Sequence, residues 1–292
     1  MGKPVQYGGQ ALIEGVMMKG PRTVSIAIRL PNGEIEVTKE DINSWTQKPF
    51  LKLPIIRGFV ALLESLIFGS KALMFSANRA VGEEEGEELS FWEMAVTIVV
   101  AFGAGILFFV GLPTVSARLL QYLFPGTVLQ NILEGLIRLL VLFIYILLIS
   151  RLKDIKRVFE YHGAEHKAIF TYESGEELNV ENARKYTRMH PRCGTSFLLI
   201  VVIVSIFVFA FLGLDPLWWR ILSRILLMPL VAGISYEILK ISGRHAGSAL
   251  CSWLVVPGLF LQRFTTREPD DSQIEVAIAA LNGVVSSGQE LR

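Results

Sequence analysis

Long apolar segments constrain the fold of this chain more than any other feature of its sequence. Four segments are apolar over about 20 residues, the length at which an α-helix crosses the roughly 30 Å hydrocarbon core of a membrane. They cover residues 91–112, 128–150, 196–214 and 218–240. Hydrophobic residues make up 52% of the 292 positions, which is above the usual share in a soluble domain. The sequence therefore predicts an all-α polytopic membrane bundle with about four spanning helices.

Two further apolar segments have a higher polar content or are shorter. Residues 55–77 include Arg57, Glu64 and Lys71, so this segment is amphipathic and is expected to lie on the membrane or re-enter it. Residues 246–261 are short for a span and are interrupted by a proline, which favours an interfacial or re-entrant helix. The bundle is thus expected to include one or two helices that do not span.

The basic residues of the connecting segments orient the bundle. Residues 151–192 contain nine Lys or Arg and residues 1–54 contain seven, whereas residues 113–127 contain Arg118 alone. Because cytoplasmic loops retain Lys and Arg, the histidine-containing loop 151–195 and both termini are expected in the cytosol. Residues 1–32 lack the apolar core of a secretory signal, in agreement with a multi-pass protein of the bacterial cytoplasmic membrane.

Segments outside the bundle predict small cytosolic structures. Residues 23–30 and 34–38 alternate in hydrophobicity around Pro31-Asn32-Gly33, which predicts a small N-terminal β-hairpin. The Gly-rich residues 8–18 show no simple period and are expected to form a loop packed against the site.

These patterns divide the chain into three expected parts. Acidic residues 83–88 are expected to form a solvated linker, and residues 270–285 predict a short amphipathic helix. The expected parts are a cytosolic loop and hairpin (1–54), a membrane domain (55–268) and a cytosolic C-terminal helix and tail (269–292).

One five-residue motif holds two of the four histidines. His162-Gly163-Ala164-Glu165-His166 reads H-x-x-E-H, the pattern of inverted zinc peptidases. On a helix, residues four apart lie on one face with Cβ atoms roughly 6 Å apart, so His162 and His166 are candidate ligands of one metal ion. Glu165 is the candidate general base for a metal-bound water.

The predicted topology brings further metal-ligand residue types to the same membrane depth. His190 and Cys193 immediately precede one inward span end, and Glu237 lies one turn from another, where an unpaired acid would be costly. A catalytic zinc site needs three protein ligands. The histidine pair is therefore completed either by Glu237 or by Cys193, and His190 is an alternative to any of these.

Ordinary structural roles compete with this interpretation. His190 would equally cap a helix or bind lipid headgroups with Arg192, and a cysteine such as Cys193 is more often a small buried apolar residue than a ligand. His245 is a weaker ligand candidate, since its small neighbours predict a turn.

Two charges inside the second span have their own explanation. Glu134 and Arg138 are spaced i to i+4 and are expected to form a mutual ion pair. Together with Arg220 and Arg224 they also leave open a polar pathway, and hence a small-solute transporter.

Four motifs together resemble a known family. They are the stretches QALIEGVMM (10–18), YHGAEHK (161–167), HPRCGTS (190–196) and PGLFLQ (257–262). With them the chain is similar, over nearly its whole length, to the YqhQ-type family of bacterial membrane proteins, which has no assigned function and is at times described as metal-dependent enzymes. The resemblance implies that four further features take part in the function of the family: Gln10, Glu14, Glu237 and the segment 262–268, which begins at Gln262.

The similarity to inverted zinc peptidases is narrower. It covers His162, Glu165, His166 and the downstream acid Glu237. Those peptidases are soluble α/β proteins, so a shared site on a helical bundle would be convergence, and their substrates do not carry over.

The sequence thus predicts a zinc-dependent hydrolase at the cytosolic membrane interface, acting on peptide or lipid-derived substrates. Glu165 is expected to act as the general base, and Arg192 or His190 is expected to stabilise the developing oxyanion. Membrane lipids are the expected partners, an oligomer is left open, and a net charge of +1 argues against nucleic-acid binding. The alternatives are a non-enzymatic scaffold with a structural metal and a small-solute transporter.

Overall fold

A four-stranded antiparallel sheet precedes a set of helices in the computed structural model, which describes residues 7–42, 45, 48–81, 91–244 and 249–289. The strands pair in chain order and comprise Gly8–Leu12 (β1), Gly15–Lys19 (β2), Thr23–Arg29 (β3) and Ile35–Asp41 (β4). The helices comprise Ile56–Val81 (α1), Phe91–Ile106 (α2), Leu112–Leu119 (α3), Thr127–Ile149 (α4), Lys153–Glu173 (α5), Val180–Arg184 (α6), Gly194–Phe209 (α7), Leu217–Arg244 (α8), Ala249–Thr265 (α9) and Asp271–Gln289 (α10). A 3-10 helix, Pro49–Lys52, precedes α1, and a π-helical turn, Leu107–Gly111, joins α2 to α3. The acidic residues 83–88 and His245 lie outside the described residues.

The predicted hairpin is confirmed as β3 and β4, but the Gly-rich stretch before it forms β1 and β2 and not the expected loop. β2 pairs with β1 and β3, and its residues 15–18 are all buried. A strand covered on both faces lacks period-two alternation, which explains why this stretch carried no strand signal. Gly15 is required in it, because a Cβ there would lie 2.5 Å from the carbonyl oxygen of Ala27.

Helices cover both faces of the sheet. On one face, Val16 and Met18 share a core with α5 and with Leu281 of α10. On the other face, Met17 packs with Ala72 of α1. The N-terminal sheet, the helix with the histidine motif and the C-terminal helix thus pack together across the boundaries expected near residues 54 and 269.

Four helical stretches among the described residues are long and apolar enough to cross a membrane, by length and composition alone. They are Ile56–Ala80, Val96–Leu119, Thr127–Ile149 and Leu217–Ser242. The last three overlap expected spans. Helix α7 has 16 residues, a length of about 24 Å at 1.5 Å per residue, and is shorter than the expected 196–214 span. Helix α9, expected to be re-entrant, continues to Thr265 with Pro257 inside it.

Helix α1 meets the length criterion for a span, but one of its faces packs along the sheet. Lys19 Nζ lies 3.4 Å from Glu64 Oε2, and the N–H of Ile13 donates to Ser76 Oγ at 3.3 Å. Glu64 and Ser76 lie about three turns apart, so the sheet contacts α1 at both positions, while another side of α1 packs against α8, where Gly58 approaches Tyr236. Since α1 also meets the length and composition criterion for a span, its expected interfacial placement stays a prediction.

A buried charge cluster joins α3, α4 and α8. The predicted ion pair is confirmed, with Arg138 Nη2 3.0 Å from Glu134 Oε1. Arg220 and Arg224 donate to the same carboxylate at 2.9 and 3.2 Å, and the hydroxyl of Thr114 donates to it at 3.1 Å. Three guanidinium groups thus share one buried carboxylate and fasten these helices together.

Candidate metal centre

Helix α5, which contains the H-x-x-E-H motif, packs against the sheet. Tyr161, Ala164 and Ala168 lie on one helical face and are fully buried in the core shared with the sheet and α10. His162 and His166 lie on the adjoining face, with ring centroids 4.5 Å apart. The i to i+4 spacing thus brings the two imidazoles together as expected.

The third ligand candidate is at the start of α7. Cys193 is the N-cap residue of this helix, and its Sγ lies 3.1 Å from His162 Nε2. The N–H and the hydroxyl of Thr195 lie 3.4 and 3.2 Å from the same sulfur. Ligand atoms of His162, His166 and Cys193 all lie within 4.8 Å of one another. One metal ion at ligand distances of about 2.0–2.3 Å fits among such atoms after small adjustments.

Backbone carbonyl groups orient both imidazoles. His162 Nδ1 lies 2.8 Å from the carbonyl oxygen of Thr265, and His166 Nδ1 contacts the carbonyl oxygen of Arg188. Since a carbonyl oxygen only accepts, both Nδ1 atoms carry a proton, and the Nε2 lone pairs are left for a ligand. Burial lowers the pKa of His166, which keeps its ring neutral at pH 7. Two acceptor nitrogens and one thiol therefore converge, and this donor set fits zinc.

Gly163 allows α5 to approach the segment that orients His162. A Cβ at Gly163 would lie 2.1 Å from the carbonyl oxygen of Arg267, a main-chain atom. Gly163→Ala is therefore expected to push α5 away from Thr265, to lower stability by about 1–3 kcal/mol and to reduce bound zinc. Thermal unfolding and metal analysis measure both effects. Gly103→Ala is the control, since a Cβ there meets nothing within 4 Å; equal results for the two variants would contradict the close approach.

Glu165 lines a pocket of about 360 Å³. His166, His190 and Cys193 line the same pocket. The carboxylate accepts a hydrogen bond from the N–H of Gly9, where a Cβ would lie 2.7 Å from Glu165 Cδ. Burial raises the pKa of Glu165, although the two nearby histidines and this hydrogen bond oppose the rise. Glycine at position 9 therefore lets β1 lie against the acid.

His190 and Arg192, both predicted as site residues from the sequence, also line the pocket. Burial lowers the pKa of His190 to about 4, so its ring is neutral at pH 7. His190 Nδ1 accepts from the N–H of Arg192 at 3.3 Å, which leaves the proton on Nε2. Glu173 Oε2 lies 3.5 Å from that Nε2, and its Oε1 accepts from the Arg192 guanidinium. Glu173 was not among the site residues predicted from the sequence, although it lies seven residues after His166 on the same helical face.

Gln262 holds the loop that leads to Cys193. Its Oε1 accepts from the N–H of His190 and its Nε2 donates to the carbonyl of His190, both at 2.8 Å, and the residue is fully buried. Gln262→Leu leaves the N–H of His190 without its partner, at a cost of about 1–3 kcal/mol, and leaves the carbonyl of His190 with only the longer hydrogen bond from the N–H of Cys193, at 3.3 Å. We expect a lower unfolding temperature and weaker zinc binding. Gln121→Leu, at a half-buried position outside the site, is the control, and an equal unfolding temperature in the two variants would contradict this role.

The other predicted site residues occupy different places. Gln10 lines the pocket. Glu237 is not a member of the ligand cluster, because its Oε1 accepts from Arg57 Nε at 2.6 Å. Glu14 lies in the turn between β1 and β2 and pairs with Arg157. Since both acids already have arginine partners, the geometry favours the ligand set that the thiol completes.

Comparisons with known proteins agree with the motif resemblance. A family model described as "Protein of unknown function (DUF1385)" matches residues 53–287. A curated protein of Bacillus subtilis (strain 168), "Uncharacterized protein YqhQ", is 38% identical over 292 residues, and the match covers 96% of this chain and 92% of that protein. No solved structure matches the chain.

Proposed function

Since the chain belongs to the DUF1385 family, whose description names no activity, we propose its function from the site: a metal-dependent membrane hydrolase. Zinc is the proposed metal, held by His162, His166 and Cys193, and the cleaved bond belongs to a peptide or a lipid-derived molecule. The convergence of the three ligand atoms, with both imidazoles fixed through Nδ1, carries this proposal. Three protein ligands leave one position for water, as in catalytic zinc sites.

The chain supplies the groups that hydrolysis needs around such a metal. Bound zinc would supply a water of pKa about 7 and a Lewis acid for a carbonyl or phosphoryl oxygen. Glu165 is the proposed base, because it lines the pocket and burial raises the pKa of its carboxyl above the usual value. His190 Nε2–H makes no hydrogen bond within the described residues and is proposed to donate to the developing oxyanion. Arg192, the other candidate donor to the oxyanion, lines the same pocket and is paired with Glu173.

The distribution of side chains supports a place in the bacterial cytoplasmic membrane. Helix α4 buries Gln130, Asn131 and Arg138, whereas Leu136 and Leu140 are exposed. Polar groups inside and apolar groups outside are the pattern of a helix in lipid. We propose that α2 with α3, α4, α7 and α8 lie in the bilayer, that α1 packs against this bundle near the cytosolic interface, and that the sheet, α5 and both termini are cytosolic.

Cobalt substitution tests whether the proposed metal site has an open coordination position. The cobalt-loaded protein is expected to show d–d bands and a thiolate charge-transfer band, and Cys193→Ser should lose the latter. Acetohydroxamate should change the d–d bands, because an open position accepts an outside ligand. Bands that acetohydroxamate leaves unchanged would indicate a closed structural site, as in a non-enzymatic scaffold, and the hydrolase proposal would fail.

A further inference from the structure

A second cavity, of about 740 Å³, lies among α1, α2, α7 and α8. Ser70 provides the one polar side chain among the described residues that line it. Water in such a cavity finds too few hydrogen-bond partners to be stable. The cavity therefore suits an apolar occupant.

This cavity begins one helical turn from the polar pocket of the metal centre. On α8, Tyr236 lines the polar pocket and Ala232 lines the apolar cavity. On α7, Gly194 lines the first and Phe197 the second, and α1 contributes to both. Residues three or four apart lie on one helical face, about 5.4 Å along the axis. A molecule in the polar pocket would thus continue along the same helical faces into the apolar cavity.

We propose that the substrate is an acylated, lipid-derived amphiphile whose scissile group binds in the metal pocket while its acyl chain lies in the cavity among α1, α2, α7 and α8. This inference rests on the proposed hydrolase function and chooses between its two substrate classes. Hydrolysis would break the bond between the acyl carbonyl carbon and its ester oxygen or amide nitrogen. Water supplies the hydroxyl that joins the carbon and the proton that goes to the leaving atom.

The chemistry of the lining favours an acyl chain over a peptide. An extended peptide carries an N–H and a C=O at nearly every residue, and leaving such groups unpaired in an apolar cavity is unfavourable. Ser70 alone cannot pair with all of them. An acyl chain has no polar group to satisfy. It also enters sideways from a bilayer, since α2 is largely exposed along its length.

Two glycines of α2 allow a matched test. Gly105 lines the cavity and Gly103 does not, and a Cβ at either position meets nothing within 4 Å. Gly105→Phe therefore fills the cavity, while Gly103→Phe adds the same ring to the exposed side of the same helix. Ala101→Phe, which also fills the cavity, replaces Gly105→Phe if that variant is not monodisperse.

The readout is the d–d spectrum of the cobalt-loaded protein in lipid nanodiscs, because it responds to ligands on the metal and not to probes dissolved in the bilayer. Acetohydroxamate and dodecanohydroxamate are titrated at one fixed lipid concentration. We expect Gly105→Phe to weaken dodecanohydroxamate binding at least tenfold without changing acetohydroxamate binding, and Gly103→Phe to change neither. Equal dodecanohydroxamate affinity in the cavity-filled and wild-type proteins would overturn the acyl-chain site while the metal centre stands. No response to acetohydroxamate in any protein would overturn the proposed function, and this inference with it.

Discussion

Glu165→Gln is expected to keep its metal and to lose about 10²- to 10⁴-fold in turnover, the usual contribution of a positioned general base. The amide has the size of the carboxylate, and its oxygen still accepts from the N–H of Gly9, so the pocket should keep its shape. The variant lacks only the ability to take a proton. Turnover is measured on an acyl ester or amide that the wild-type protein cleaves, and bound zinc is measured by mass spectrometry.

Glu177→Gln is the matched control, because this exposed carboxylate lies just beyond the end of α5. It should retain wild-type turnover and zinc. Loss of zinc in Glu165→Gln would assign Glu165 as a ligand, and undiminished turnover would exclude it as the base.

Glu134→Gln is expected to destabilise the protein by about 3–5 kcal/mol, the usual cost of breaking a buried ion pair from one side. In the described residues, Arg138, Arg220 and Arg224 all lie against this carboxylate and are at most 3% exposed. The neutral amide would leave three buried guanidinium groups without a counter-charge. Chemical unfolding in detergent micelles, followed by circular dichroism, measures the loss.

Asp215→Asn removes an acid from an exposed ion pair, with Arg118 3.0 Å away, and is the control for Glu134→Gln. Exposed pairs contribute about 0–1 kcal/mol, so a small change is expected. Wild-type stability in Glu134→Gln would contradict the fastening role of the cluster and would favour the alternative of a polar solute pathway through these charges.

Local spacing predicted the part of the site that a single helix determines. His162 and His166 meet because helix geometry fixes neighbours four residues apart. The choice between Cys193 and Glu237 as the next ligand could not be predicted in this way. Both were expected at the cytosolic depth, but depth along the membrane normal does not specify position around the bundle. Arg57, on α1, lies next to Glu237 and pairs with it.

The fold was predictable where a segment has one exposed and one buried face. The hairpin β3–β4 alternates accordingly, whereas β2 is covered on both faces and shows no alternation. Segment 55–77 has the length of a span and the polar residues of an interfacial helix. Its contacts, with the sheet on one side and with α8 on another, join residues distant in sequence and could not be predicted from the segment itself.

Gln262 illustrates a site role that a motif resemblance indicates without explaining. The resemblance implied that residues 262–268 take part in the function, but it did not indicate what they do. The structure gives a physical reason, because one buried amide pairs with both backbone groups of His190. Such a role depends on the packing of α9 against the loop before α7, which no periodicity in the sequence encodes.

The metal content of the purified protein shows whether His162 and His166 hold a metal ion. The full chain is purified in mild detergent, loaded with zinc, freed of excess metal and analysed by mass spectrometry beside a variant carrying both His162→Ala and His166→Ala. We expect about one equivalent of tightly bound zinc in the wild-type protein and none in the variant, with both proteins monodisperse. The absence of zinc from a folded wild-type protein, or equal zinc in the two, would contradict a metal centre at these histidines.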